Sequence, residues 1–282
     1  MQVNILEALA NAAVFTASWR QATHSSGQAE EESLWLYLRA LSNFVHVTGQ
    51  VYQFEDYLKA AGPSECPRAS ARLGADKGRF AQLAVEMLLR ALDKTSEPEQ
   101  KQNVLLLIAL VNFIADTGQL DDVEDFFSNQ LEYAPIAIAH FSSNEEAEAW
   151  LRGVATPPSP AYLLIGDEYY QFWYRREDKT RGMYRDYPIE LELEGLAARG
   201  IPPQTPSFAT RAEAENWLTD HPANPYAFVS IADEHYFAVY HRRLKRHSLH
   251  PVASTLRAWE EHKRAVEREA AREAVPSDGA SE

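Results

Sequence analysis

Phe141-Ser-Ser-Asn-Glu-Glu-Ala-Glu-Ala-Trp150-Leu151 returns as Phe208-Ala-Thr-Arg-Ala-Glu-Ala-Glu-Asn-Trp217-Leu218, an offset of 67 residues. The echo continues downstream. Ile165-Gly-Asp-Glu-Tyr-Tyr170 is answered by Ile231-Ala-Asp-Glu-His-Tyr236, and Tyr174-Arg-Arg176 by Tyr240-His-Arg242, both at an offset of 66. Tyr187-Pro-Ile189 and His250-Pro-Val252 make a weaker fourth block. Four blocks in one order with nearly constant spacing mark a supersecondary unit used twice.

Each block has a local physical reading. Ser143 and Thr210 can cap a helix, and Glu146 and Glu213, three residues on, complete a capping box. Ala147, Trp150 and Leu151 then fall at i, i+3, i+4, as do Ala214, Trp217 and Leu218. That spacing is one helix face, so both indoles are expected to be buried anchors against a sheet. The apolar runs 162–165 and 228–231 read as strands, with return strands at 169–174 and 235–240. Between them, Gly166-Asp167-Glu168 and Ala232-Asp233-Glu234 read as exposed hairpin tips. An extra strand is expected at 135–141. In the second unit Pro202, Pro203 and Pro206 take that place, which argues against a leading strand there. Proline-led helices close the units at 188–199 and 251–272. A lone hairpin is marginal, so the two units should pack into one body.

Upstream, helical periodicity gives five segments. They cover about 4–21, 30–58, 79–92, a span from a cap at Ser96 to about 117, and 121–131. Gly49 is placed to kink or split the second. The fourth contains Val104-Leu-Leu-Leu-Ile-Ala-Leu-Val111 and is apolar nearly all round, so it belongs at the centre of a bundle. The fold class expected is α+β: an N-terminal helical bundle, two tandem helix/β-hairpin repeats and a C-terminal helix. The domains are 1–134, then 135–275 (repeats 135–200 and 201–275), with a disordered tail at 276–282.

Composition narrows the function. The 282 residues carry 41 Asp plus Glu against 27 Lys plus Arg, a net charge of -14 that repels a polyanion. A single cysteine, Cys66, cannot form an internal disulfide or a zinc-binding pair. The N-terminus lacks the basic region of a signal peptide, and the longest apolar run falls short of the roughly 20 residues of a membrane span. A cytoplasmic protein is expected. Phosphate-loop, dinucleotide, zincin and nucleophile-elbow motifs do not occur. His241, His247 and His250 cluster without an acid among them, which argues against a metal. No cofactor or catalytic residue is assigned.

Two surfaces remain. Residues 102–151 contain no Lys or Arg but many carboxylates, and read as a solvated face or a docking face for a basic partner. Asp121, Asp122, Glu124 and Asp125 from this run, with the tip pairs Asp167, Glu168, Asp233 and Glu234, are the candidate partner-binding residues. Arg175, Arg176, Lys179 and Arg181, and likewise Arg242, Arg243, Lys245 and Arg246, follow aromatic residues. Such strips can stack nucleobases, a reading the net charge disfavours.

The repeated Phe-x-Ser/Thr … Glu-Ala-Glu-x-Trp-Leu and Ile-x-Asp-Glu-x-Tyr blocks resemble a paralogous family of myxobacterial proteins. Some of its members resemble immunity proteins encoded beside toxins. The likeness covers about 135–255 and supplies no catalytic residue. It implies a non-enzymatic binder that neutralises a cognate toxin, and the negative surface suits a basic one. The alternative is a regulatory or scaffold protein whose repeats take a peptide or other ligand in a groove between the units. An enzyme or a nucleic-acid binder is less favoured than either.

Overall fold

The computed structural model describes residues 4–62, 68–74 and 78–273; Cys66 and the expected 276–282 tail lie outside them. Six helices form the first half: α1 (Ile5–Ser25), α2 (Ala29–Val47), α3 (Val51–Ala61), α4 (Arg79–Lys94), α5 (Pro98–Asp116) and α6 (Leu120–Ser128), followed by a 3-10 turn at Gln130–Glu132. As expected, α5 sits inside the bundle, beside α2, which packs on all five other helices. Leu107, Ile108, Leu110, Val111 and Ile114 are buried, and α1, α2, α3 and α4 all pack on α5. Ser96 does not cap it. Pro98 takes the first helical position, which makes Glu97 the cap residue, and no side chain closes that end. Gly49 splits the second segment into α2 and α3. Among the described residues no single helix is long and apolar enough to cross a membrane.

The second half holds two sheet units with the same order of elements. The first runs β1 (Ala137–Phe141), α7 (Asn144–Gly153), β2 (Ala161–Ile165), β3 (Glu168–Tyr174), β4 (Arg181–Arg185), α8 (Pro188–Ala198). The second runs β5 (Ser207–Phe208), α9 (Arg211–Asp220), β6 (Tyr226–Ile231), β7 (Glu234–His241), β8 (Arg246–Pro251), α10 (Val252–Glu273). The sheets are ordered β1-β2-β3-β4 and β5-β6-β7-β8. In each, the first two strands are parallel and the others antiparallel. A parallel pair needs a crossover, and α7 and α9 supply it. The turn amides of Gly166 and Ala232 bond back to the carbonyls of Phe141 and Phe208 at 2.8 and 3.0 Å.

Two expectations need correcting here. A leading strand is present in the second unit, although the prolines cut it to two residues. Each unit also has a further strand, β4 or β8, that its polar, basic sequence did not announce.

The side chains form layers. Ala147 and Leu151 of α7 pack on Leu163, Ile165 and Phe172, and Ala214 and Leu218 of α9 pack on Val229, Ile231, Ala238 and Leu249. The opposite sheet faces share a third core, in which Leu164 and Tyr169 meet Phe237 and Val239 with Ile189 and Leu193 of α8 and Val252 of α10. The two units therefore do pack as one body, and side chains fill the space between them.

The indoles are not buried anchors. Trp150 is 36% exposed and Trp217 is partly buried. Each tilts against the phenylalanine that ends its leading strand: Phe141–Trp150 at 5.4 Å and 47°, Phe208–Trp217 at 5.6 Å and 46°. At 100° per residue, Ala and Leu at i and i+4 face the sheet, and Trp at i+3 lies at the edge of the stripe. Trp150→Ala is expected to cost about 1–2 kcal/mol in urea unfolding, below the roughly 3–5 kcal/mol of a fully buried indole.

Candidate functional site

Of the two basic strips, Arg176, Arg242 and Arg246 are partly buried and turned to carboxylates of the chain, while Arg175, Lys179, Arg181, Arg243 and Lys245 are exposed. Arg176, just after β3, and Arg242, just after β7, hold equivalent places in the two units. Arg176 Nη1 donates to Glu55 at 2.6 Å and to Asp56 at 2.7 Å, its Nη2 donates to Asp56 at 2.8 Å, and the guanidinium lies 4.8 Å from the Tyr52 ring centroid. Arg242 donates to Asp125 at 2.7 Å and Glu132 at 3.1 Å, and lies 5.3 Å from the Tyr133 ring. Each unit thus grips the bundle with one arginine laid on a tyrosine between two carboxylates, the planar, forked recognition that lysine does not reproduce. The Arg176 guanidinium holds the Asp56 carboxyl below its ordinary range. For Arg242 and Asp125, about one-third exposed, a double-mutant cycle to alanine should give about 1 kcal/mol of coupling, weakened in 1 M salt.

The eight candidate residues are dispersed over α6 and the two hairpin turns. Asp121 and Asp122 are exposed in the first turn of α6. Glu124 is half-buried, and burial, reinforced by Asp121, raises its carboxyl above the ordinary value. Asp125 is engaged by Arg242 and by the Tyr133 hydroxyl. Glu168 pairs with Arg185 at 3.0 Å. Asp233 and Glu234 are exposed, as hairpin tips should be.

Asp167 is not an exposed tip. It accepts from Arg211 of α9 at 2.5 Å, from Arg246 of β8 at 3.3 Å and from the Leu249 amide at 3.4 Å, so the first unit's turn is clamped into the second unit. The two turns also differ in backbone. Ala232 and Asp233 both have positive φ (47° and 66°), the pattern of a type I′ turn, whereas in the matching turn of the first unit Gly166 has it (62°) and Asp167 does not.

A second polar cluster lies beside this clamp. Tyr169 Oη donates to the Pro135 carbonyl at 2.7 Å and lies 3.0 Å from His241 Nδ1. His241 Nε2 is 2.8 Å from Ser248 Oγ, which is 2.8 Å from His250 Nε2. One assignment of protons satisfies every link. The tyrosine proton is spent on Pro135, so His241 Nδ1–H donates to the tyrosine oxygen, Ser248 donates to the bare His241 Nε2, and His250 Nε2–H donates to Ser248. Burial, with Arg246, pulls His241 down to about 3, and burial likewise lowers His250. Both imidazoles are neutral at pH 7. Ser248 is wholly buried, so this His–Ser–His set is closed to a substrate as it stands.

Sequence reasoning singled out the histidines but not Tyr169, Ser248 or Arg211. The available signal was strand alternation, which puts Ser248 and His250 on one face, with His241 diagonal to Ser248 across the ladder. Among the described residues no group of three or more His, Cys, Asp or Glu is placed to hold a metal. Compared with known proteins, the chain matches no protein-family model, no curated protein and no solved structure.

Proposed function

We propose that this chain is a non-enzymatic binding protein that engages a basic protein partner, with neutralisation of a toxin as the biological form of that activity. One observation carries the reading: five arginines of the repeat units are spent on carboxylates of the same chain. Arg176, Arg185, Arg211, Arg242 and Arg246 each pair with one or more carboxylates of the same chain. The net charge of -14 therefore resides in outward carboxylates such as Asp122, Asp233 and Glu234. A surface of that kind steers basic partners and repels nucleic acid. The expected groove between the units is filled by their shared core, which weighs against the scaffold alternative in its original form.

The test is co-expression with the product of the neighbouring reading frame. Rescue of growth and a co-purifying complex are expected, with the affinity of the Asp122→Lys/Asp233→Lys/Glu234→Lys variant at least tenfold weaker while its circular dichroism spectrum is unchanged. No complex and no rescue would remove the proposal.

A further inference from the structure

We propose that the Pro135–Tyr169–His241–Ser248–His250 chain is an acid-released latch, which locks the second sheet unit to the first and to the segment leading out of the bundle. The geometry requires three bodies to be in register. Pro135 precedes β1, Tyr169 stands on β3 of the first unit, and the remaining three residues stand on β7 and β8 of the second. The hydrogen bonds run in one direction, from His250 to the Pro135 carbonyl, and every proton in them is used once.

A proton added to His241 breaks that order. Its Nε2 becomes a donor, so Ser248 faces two N–H groups and its own hydroxyl proton loses its acceptor. Ser248 is 0% exposed, so water does not replace the lost partner. A proton added to His250 leaves the links intact but buries a charge. The groups facing the two imidazoles make the balance. From the first unit come Asp167 in the turn after β2, Tyr169 on β3 and Arg185 on β4; from the second come Arg211 on α9 and Arg246 and His247 on β8. Asp167 favours the charged form, while the arginines and His247 oppose it. Burial acts in the same sense as the arginines and is the largest effect at both imidazoles.

The sign follows from linkage. Both groups bind a proton less readily in the closed joint than when solvated, where imidazole titrates near 6.5. The latch is therefore fully held above about pH 7 and loosens as pH falls below about 6.5. A single imidazole that is neutral when closed and solvated when open favours opening by about thirtyfold at pH 5 relative to pH 7.5. Each unit keeps its own helix-on-sheet core when the joint parts, Leu151 with Phe172 in one and Leu218 with Leu249 in the other.

Peptide-resolved hydrogen exchange on the full chain tests this, read as protection factors at pH 7.5 and 5.0. Residues 167–170 and 246–251 should lose protection by about thirtyfold or more, while α2 and α5 keep theirs. His241→Asn and His250→Gln, each of which retains one N–H donor to the chain, should each reduce the pH response by about one imidazole's share, and His24→Gln, on α1 of the bundle, should leave it intact. Protection that is the same at both pH values, that falls equally throughout the molecule, or whose pH response is undiminished in both His241→Asn and His250→Gln would overturn the latch. The wild-type comparison decides the matter even if one variant does not fold.

Discussion

Asp167→Ala is expected to destabilise the protein by about 3 kcal/mol, whereas Asp233→Ala, at the matching position of the second unit, should cost less than about 1 kcal/mol. The two residues occupy the same motif, and the difference comes from the partners of Asp167, which outweigh the backbone cost of alanine at the positive φ of position 233 (66°). The Asp167 side chain is only 20% exposed and is the acceptor for Arg211, Arg246 and the Leu249 amide. Removing a buried partner strands the charges it satisfied, at a cost of roughly 3–5 kcal/mol when both partners are fully buried. Arg211 is 47% exposed and can rehydrate, which brings the figure down. Arg246 cannot do so fully, since its Nη1 is already buried without a hydrogen-bond partner. Asp167→Asn should fall between, since it keeps an acceptor for Leu249 but loses the charge. Urea unfolding followed by circular dichroism measures all three. Equal effects at positions 167 and 233 would show that the clamp between the units contributes nothing.

What was legible in the sequence was local. Capping at Ser143 and Thr210 is visible as a side chain followed by Glu three residues on, and both hydroxyls do accept from the third helical amide. The strands flanking the turns are visible because one face of each is apolar. What was not legible depends on residues far apart in the chain. The cation-free run 102–151 reads as an outer face, yet Asp125 and Glu132 meet Arg242, more than 100 positions later. No window of sequence holds both halves of that pairing. β4 and β8 were missed for a related reason. Arg181-Gly-Met-Tyr-Arg185 and Arg246-His-Ser-Leu-His-Pro251 put polar groups where periodicity looks for apolar ones. In β8 Ser248 and His250 are buried but satisfied, through His241 of β7, which Tyr169 reaches from the other unit. The Trp positions failed differently. A stripe at i, i+3, i+4 defines an arc, and burial at its edge depends on how wide the opposing sheet is.

Gly49→Ala should cost about 3 kcal/mol and act at the other joint, where the bundle meets the first sheet. Gly49 is the corner between α2 and α3 and has φ +70°, a conformation L-residues adopt at a cost of roughly 1–2 kcal/mol. Its surroundings add a second penalty. An added Cβ would lie 2.6 Å from Pro158 Cβ and 3.0 Å from the Ser159 nitrogen, so something must move, and overpacking of this kind costs roughly 1–3 kcal/mol. What must move is the joint itself: the Ser159 amide donates to the Gly49 carbonyl at 3.0 Å, and Thr48 pairs with Ala161 at the start of β2. The two penalties can be separated. Pro158→Gly removes the atom in the closest contact without changing the backbone angle at position 49. The double variant should therefore regain part of the loss caused by Gly49→Ala, measured against Pro158→Gly alone, and leave the roughly 1–2 kcal/mol of backbone strain together with the milder contacts to the Ser159 nitrogen and Ala161 Cβ. No recovery in the double variant would mean that the contact with Pro158 adds nothing to the cost, which then lies in strain at the corner and in the contacts with Ser159 and Ala161 at the start of β2.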